Sequence, residues 1–208
     1  MKKVFRKKEK GEMGIGTLII FIAMIIVAAV AATVLIQTAY QLQQQAEQTG
    51  NIAIQDVATG FKVIHIGGLV DKSTPASPKI KIIEIKVGLL AGSPAIDLDN
   101  VLIEISDGKN GYTLNYTDKD VTDNTYATLA EDTFNATTLR DMSPENLPND
   151  HVMSQGDIVK LVINATAVGL DLTPQTDVTL QIIPKHGVPT YVEFMVPATL
   201  TTDYVDLY

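Results

Sequence analysis

The residues best suited to chemistry in this chain are oxygen donors and side-chain amides. Asp97, Asp99 and Asn100 alternate along one short stretch, and Asp118, Asp120 and Asp123 form a second group. Alternating oxygens can ligate Ca²⁺, but neither group has the central glycine or the distal Glu of an EF-hand loop. Solvated turns are the simpler expectation, and no bound metal is expected. N-x-T occurs three times, at Asn115, Asn135 and Asn164. Such an Asn can accept an N-linked glycan where an exported domain exposes it. His65, His151 and His186 are too scattered to suggest a metal cluster, and the absence of Cys excludes disulfides and thiolate chemistry. There is no GxSxG, HExxH or P-loop, and Gly14-Ile15-Gly16 lacks the third glycine and the preceding strand of a dinucleotide site. These residues point to neither an enzyme nor a cofactor.

The elements that carry them read as a β-domain. KIKIIEIKV (79–87) alternates, with a slip at Ile83. VLIEIS (101–106), the turn-rich DGKNG (107–111) and YTLNYT (112–117) read as a hairpin. IVKLVINAT (158–166), VTLQIIP (178–184) and TYVEFMV (190–196) read as further strands, with KHGVP as the loop between the last two. Shorter candidates are FKVIHI (61–66), YATLAEDTF (126–134) and ATLTT (198–202). Residues 135–157, with Pro144, Pro148 and Gly156, read as a long polar loop. Short strands at close spacing, without helical patterns between them, predict an immunoglobulin-like antiparallel β-sandwich over 61–208.

Charge is unevenly placed. Residues 1–11 (MKKVFRKKEKG) hold six Lys/Arg and one Glu, a net of +5, whereas the other 197 residues hold ten basic and 23 acidic side chains, a net of −13. An acidic body repels phosphate backbones, so nucleic acid is not an expected partner.

Between the basic head and the β-domain lies an apolar segment. No charged residue occurs from Met13 to Ala46, and Gly14–Ile36 is apolar apart from two Thr and two Gly. A bilayer core needs about 20 such residues in a helix, and the basic head would stay on the cytoplasmic side. Apolar residues on every side of this helix exclude an ordinary surface helix. Three fates remain open from the residues alone. A secretory signal could be cut at Ala29-Val30-Ala31, releasing a soluble body from Ala32. The segment could be kept as the anchor of an ectodomain. It could also be cut at its front edge, so that the apolar part survives.

The helix-forming sequence continues past Ala31, without Pro or Gly, to Gln48. Small residues recur every seven positions at Ala32, Ala39, Ala46 and Ala53, ending at Gly60. Ala28, Leu35, Leu42 and Thr49 stand on the same stripe, three or four residues away. Small residues on one stripe let helix backbones approach closely, in lipid or in a bundle. A helix from Gly14 to Thr59 would be roughly 69 Å long, well beyond the ~30 Å of a bilayer core, with Gly50 as a weak point.

KGEMGIGTLIIFIAMIIVAAVAATVLIQTA (10–39) closely resembles the N-terminus of archaellins, the filament subunits of the archaeal flagellum, which carry a class III, type IV pilin-like signal. The resemblance implies a cut between Gly11 and Glu12, with Lys10 just upstream and Gly14 at the third mature position. Gly16 falls at the fifth mature position, where bacterial-type pilins usually carry Glu, and this favours the archaellin. The same resemblance implies a cleaved leader (1–11), a retained polymerisation helix (12–60) and an outer β-sandwich (61–208). The partners it implies are copies of the chain in a helical homopolymer, other archaellins where the filament is mixed, a prearchaellin peptidase, the membrane as precursor, and the flagellar motor and export platform. N-glycans are implied at the three N-x-T sites. An adhesive pilus subunit using the same signal is the nearest alternative.

Overall fold

The computed structural model describes residues 2–72, 78–117, 129, 131–142 and 151–208, with side chains from Gly14 onward. By internal contacts the chain divides into two units, Met1–Asn51 and Ile52–Tyr208.

One long helix, α1 (Lys2–Ala58), makes up the first unit and contributes its last turns to the second. It contains no proline, and the helical pattern runs through Gly50. It ends where Thr59 and Gly60 meet the β-domain. The Thr59 N–H still donates to the Gln55 carbonyl at 2.9 Å, while the Thr59 carbonyl already accepts from the Val188 N–H at 3.1 Å.

The second unit has eleven strands among the described residues: β1 (Phe61–Asp71), β2 (Lys79–Leu89), β3 (Ile96–Asp97), β4 (Leu102–Ser106), β5 (Gly111–Tyr116), β6 (Thr133–Arg140), β7 (Val152–Met153), β8 (Ile158–Asn164), β9 (Asp177–Ile183), β10 (Thr190–Met195) and β11 (Tyr204–Asp206). A one-turn helix, α2 (Ala165–Val168), follows β8. Nine strands form one sheet in the order β10-β9-β4-β5-β6-β8-β2-β1-β11, and β3 pairs with β7 separately. Neighbours are antiparallel except β5 and β6, which run parallel. The sheet rolls around its core, for β10 at one end of the order returns to β1 near the other. The Thr190 hydroxyl donates to the Phe61 carbonyl at 2.9 Å. The structure therefore has the expected order, a long apolar helix followed by an antiparallel-rich β-domain. The two expected layers are halves of one continuously hydrogen-bonded sheet.

Alternation decides which side chains face inward. Ile103 and Ile105 of β4, Leu114 of β5, Phe134 of β6, Leu161 and Ile163 of β8, and Leu180 and Ile182 of β9 are buried in a single core. The slip read at Ile83 is a real irregularity. Leu69 pairs with Ile82 and Val70 with Ile80, so Lys81 is skipped. Ile80 and Ile83 therefore both join the main core, while Ile82 turns to the opposite face and packs with Leu129 and Val162. On that face Lys160 pairs with the buried Glu84 at 2.9 Å.

Several boundaries differ from the sequence reading. Residues 135–157 are not one loop, for β6 continues to Arg140 and β7 follows at Val152. Polar side chains on the outward positions of β6 masked its alternation. ATLTT forms no strand; the last strand is β11, which pairs with β1 from Gly67↔Asp206 to Leu69↔Tyr204. Of YATLAEDTF, only Thr133 and Phe134 are in a described strand, and residues 126–128 and 130 lie outside the described residues.

Candidate functional site

α1 presents a long exposed apolar surface. Every residue from Gly14 to Val57 is exposed, and the segment from Gly14 is long and apolar enough to cross a membrane. Ala28, Ala32, Leu35, Ala39, Leu42, Ala46, Thr49 and Ala53 all lie on this exposed surface. A shallow apolar groove runs beside them, lined by Ile20, Ala23, Met24, Val27, Ala28 and Ala31. It shares Ala28 with the stripe. Ala23 and Ala31 are small positions that the seven-residue reading missed, and their signal is a spacing of eight, two turns along one face.

The threonine hydroxyls of this helix are satisfied internally. The hydroxyls of Thr17, Thr33, Thr38 and Thr49 donate to the carbonyls of Gly14, Ala29, Val34 and Gln45 at 2.8–2.9 Å. Gln43 donates to Glu47 at 3.1 Å. The apolar run therefore brings no unpaired hydroxyl into lipid or a bundle, where such a group is costly. Lys10, Gly11 and Glu12 fall inside α1, upstream of the described side chains; Gly14 is the first residue whose exposure is described.

A collar of bonds binds the end of α1 into the β-domain. Asp56 meets His186 at 3.2 Å, the Leu90 N–H donates to the Gly60 carbonyl at 3.0 Å, and the Val188 N–H and the Thr190 hydroxyl hold the carbonyls of Thr59 and Phe61. Gly187 closes the collar at φ +105°, and a Cβ there would overlap the Thr59 carbonyl.

The three N-x-T asparagines are placed very differently. Asn115 is exposed on the outward face of β5. Asn135 is buried, and its side-chain amide donates to the Thr117 carbonyl at 3.0 Å. Asn164 is also buried, and its side-chain oxygen accepts from the Ala167 N–H at 3.1 Å, capping α2.

The acidic candidates are used locally or lie outside the described residues. The two Asp97 oxygens accept from the Asp99 N–H at 3.0 Å and the Asn100 side-chain amide at 2.8 Å. Asp99 is exposed, and Asp118, Asp120 and Asp123 fall outside the described residues. Among the described residues, no three His, Asp or Glu side chains gather as metal ligands. The histidines stand apart. His65 pairs with Asp206 at 3.0 Å, His151 with the Tyr116 hydroxyl at 2.7 Å, and His186 with Asp56. Among the described residues three side chains have perturbed acidity, and one of them, the exposed Asp203 carboxyl, is held below its ordinary value by its hydrogen bond from Lys72. Burial pushes the Asp107 carboxyl up, but backbone N–H groups, chiefly of Asn110 and Lys109, outweigh it and hold it below its ordinary value. Burial raises the Tyr204 phenol, and the Glu84 and Asp206 carboxylates add to the rise.

Residues 11–194 match the sequence model of archaeal-type flagellins. The chain belongs to that family. It is 42% identical over 205 residues to flagellin B2 of Methanocaldococcus jannaschii, covering 93% of this chain and 92% of that one. It is 36% identical to flagellin B4 of Pyrococcus abyssi, covering 91% and 94%. The fold is similar to the crystal structure of archaeal flagellin FlaB1 from M. jannaschii, with a TM-score of 0.63 and 22% identity over 72% of this chain and 97% of that chain. It is also similar to the archaeal flagellum of Methanospirillum hungatei strain JF1, with a TM-score of 0.65 and 18% identity over 93% and 98%. As an archaeal flagellin the protein is a structural subunit of an extracellular filament rather than an enzyme, and its apolar N-terminal helix fits a membrane-anchored precursor.

Proposed function

We propose that the chain is inserted in the cytoplasmic membrane as a precursor, cut between Gly11 and Glu12, and built into the filament through α1. The observation that carries this reading is the exposure of every residue from Gly14 to Val57, of which Gly14–Ile36 alone form an apolar surface far larger than a soluble monomer tolerates. Lipid covers it before assembly, and copies of the same helix cover it afterwards. The stripe from Ala28 through Ala32, Leu35, Ala39, Leu42, Ala46 and Thr49 to Ala53 is the packing seam.

Removing residues 1–11 takes away a net charge of +5 beside the helix. With that charge present, the precursor is held with its basic end on the cytoplasmic side. A prearchaellin peptidase reads Lys10, Gly11 and Gly14. The working division is then leader 1–11, polymerisation helix 12–60 and outer domain 61–208. An export platform and motor engage the filament at its base, and other archaellins join where the filament is mixed. Asn115 is the N-x-T site whose amide is accessible in the folded domain, and it carries the glycan.

The deciding experiment is peptide mapping of the N-terminus of protein recovered from filaments. A chain beginning at Glu12 supports the scheme. A chain beginning at Ala32 would remove most of the apolar run from the mature protein and overturn it.

A further inference from the structure

The outward face of β4, β5, β9 and β10 holds a groove of about 300 Å³, at the lower end of the range for small-ligand sites. Strand register builds its floor. Thr113 stands opposite Glu104, Glu104 opposite Gln181, and Gln181 opposite Tyr191. Alternation turns all four away from the core, into which Leu114, Ile105, Leu180 and Val192 point. Gly111 leaves one end open, with nothing within 4 Å of where a Cβ would stand.

None of Glu104, Thr113, Gln181 and Tyr191 makes a side-chain hydrogen bond or ion pair among the described residues. A hydroxyl, a carboxylate and an amide, all unpaired and in line with an aromatic ring that is 60% exposed, suit a saccharide. The polar groups can pair with sugar hydroxyls, and the ring can cover an apolar C–H face.

A source of saccharide lies on the same face. Asn115 is two residues from Thr113 on β5, faces outward like it, and stands opposite Leu102. We propose that this groove cradles the glycan borne by Asn115 of the same chain. The inference rests on the reading that Asn115 is glycosylated. Three strand spacings and one two-residue step put Tyr191 about 16 Å from Asn115, so the occupant is an oligosaccharide and not a single sugar. Tethering makes its effective concentration about millimolar, which lets weak contacts suffice. Among the described residues no Lys or Arg lines the groove, while Glu104 lies in it and Glu193 stands beside it opposite Thr179. The sugars that lie there are therefore neutral, since a uronic acid would meet like charge.

The test uses protein from native filaments and from Tyr191→Ala and Gln181→Ala strains. Mass spectrometry of the Asn115 peptide reads occupancy and composition. Periodate oxidation of the glycan, on filaments and on dissociated subunits, reads how well its diols are covered. The expected result is oxidation several-fold slower in the unaltered protein than in either variant at equal occupancy, in subunits as well as in filaments. Equal rates overturn the cradle. Protection that disappears on dissociation also overturns it, and assigns the cover to a neighbouring subunit. Uronic acids throughout the Asn115 glycan overturn the charge argument, and the cradle with it. An unmodified Asn115 overturns the glycosylation reading itself, and the cradle with it.

Discussion

Gly187 sits against the carbonyl of Thr59 at φ +105°, where a side chain would overlap that carbonyl. The two residues lie far apart in sequence, and their contact joins the end of α1 to the loop between β9 and β10. Gly187→Ala adds a Cβ in a backbone region that L-residues avoid and pushes it into peptide atoms that cannot move cheaply. The expected loss is about 1–3 kcal/mol of β-domain stability, read from the shift of the thermal unfolding midpoint. An unchanged midpoint would mean that the collar is looser than its bond lengths imply.

Ala39 and Ala46 carry no contact that the β-domain needs, since both are exposed on α1. Phe at either position should block filament formation while leaving the β-domain folded. Electron microscopy reads the first effect and circular dichroism of the detergent-dissolved subunit reads the second. Normal filaments from either variant would defeat the packing seam.

The three N-x-T sites should separate on substitution. Asn115→Gln should change stability by no more than about 0.5 kcal/mol and remove a glycan from the intact mass. Asn135→Ala leaves the Thr117 carbonyl without its donor and should cost about 1–3 kcal/mol. Asn164→Ala removes the cap of α2 and should cost about 0.5–2 kcal/mol. Urea titration of the three variants gives the comparison. A glycan found on Asn135 or Asn164 in the folded protein would contradict the burial of their amides.

Asp107 makes stability depend on acid. Its carboxyl is held below its ordinary value in the fold, despite burial pushing the other way. Below the ordinary value, near 3.9, the unfolded chain binds a proton that the folded chain still refuses. The contribution is fully present above about pH 4 and is lost as the pH falls through the folded value. Asp107→Asn should therefore cost ~1 kcal/mol at pH 6 through weakened turn bonds, and the gap to the unaltered protein should narrow below about pH 4. A gap constant from neutral pH down into strong acid would show that the charge plays no part.

How much of the fold is legible in the sequence depends on how strongly each feature repeats. The apolar run needs only composition, and the hairpin around Asp107 announces itself through Asp107, Gly108 and Asn110 at fixed turn positions. In β2 even the bulge at Lys81 is foreshadowed by adjacent Ile82 and Ile83. β6 escapes notice because Asn135, Thr137 and Thr138 look like loop residues, and only pairing with β8 makes them a strand. β11 is three residues long, too short for a period to show. The spacing of Asn115, Asn135 and Asn164 from their threonines is identical, so nothing local could say that the fold would bury the last two. The Thr113–Glu104–Gln181–Tyr191 row is illegible for a related reason. It is assembled across four strands whose order, β5-β4-β9-β10, the chain does not follow.

The threonines of the apolar run bond back to their own helix, and this bears on the direction of growth. Their hydrogen-bond inventory is the same among acyl chains as among copies of the helix. A subunit that leaves one surrounding for the other breaks no hydroxyl bond in that run, so these bonds themselves favour neither surrounding. Direction is fixed beyond reversal only by a step that cannot be undone. In the scheme proposed above, severing the peptide bond after Gly11 is such a step, and that scheme puts the commitment to assembly before the helix ever meets its neighbours.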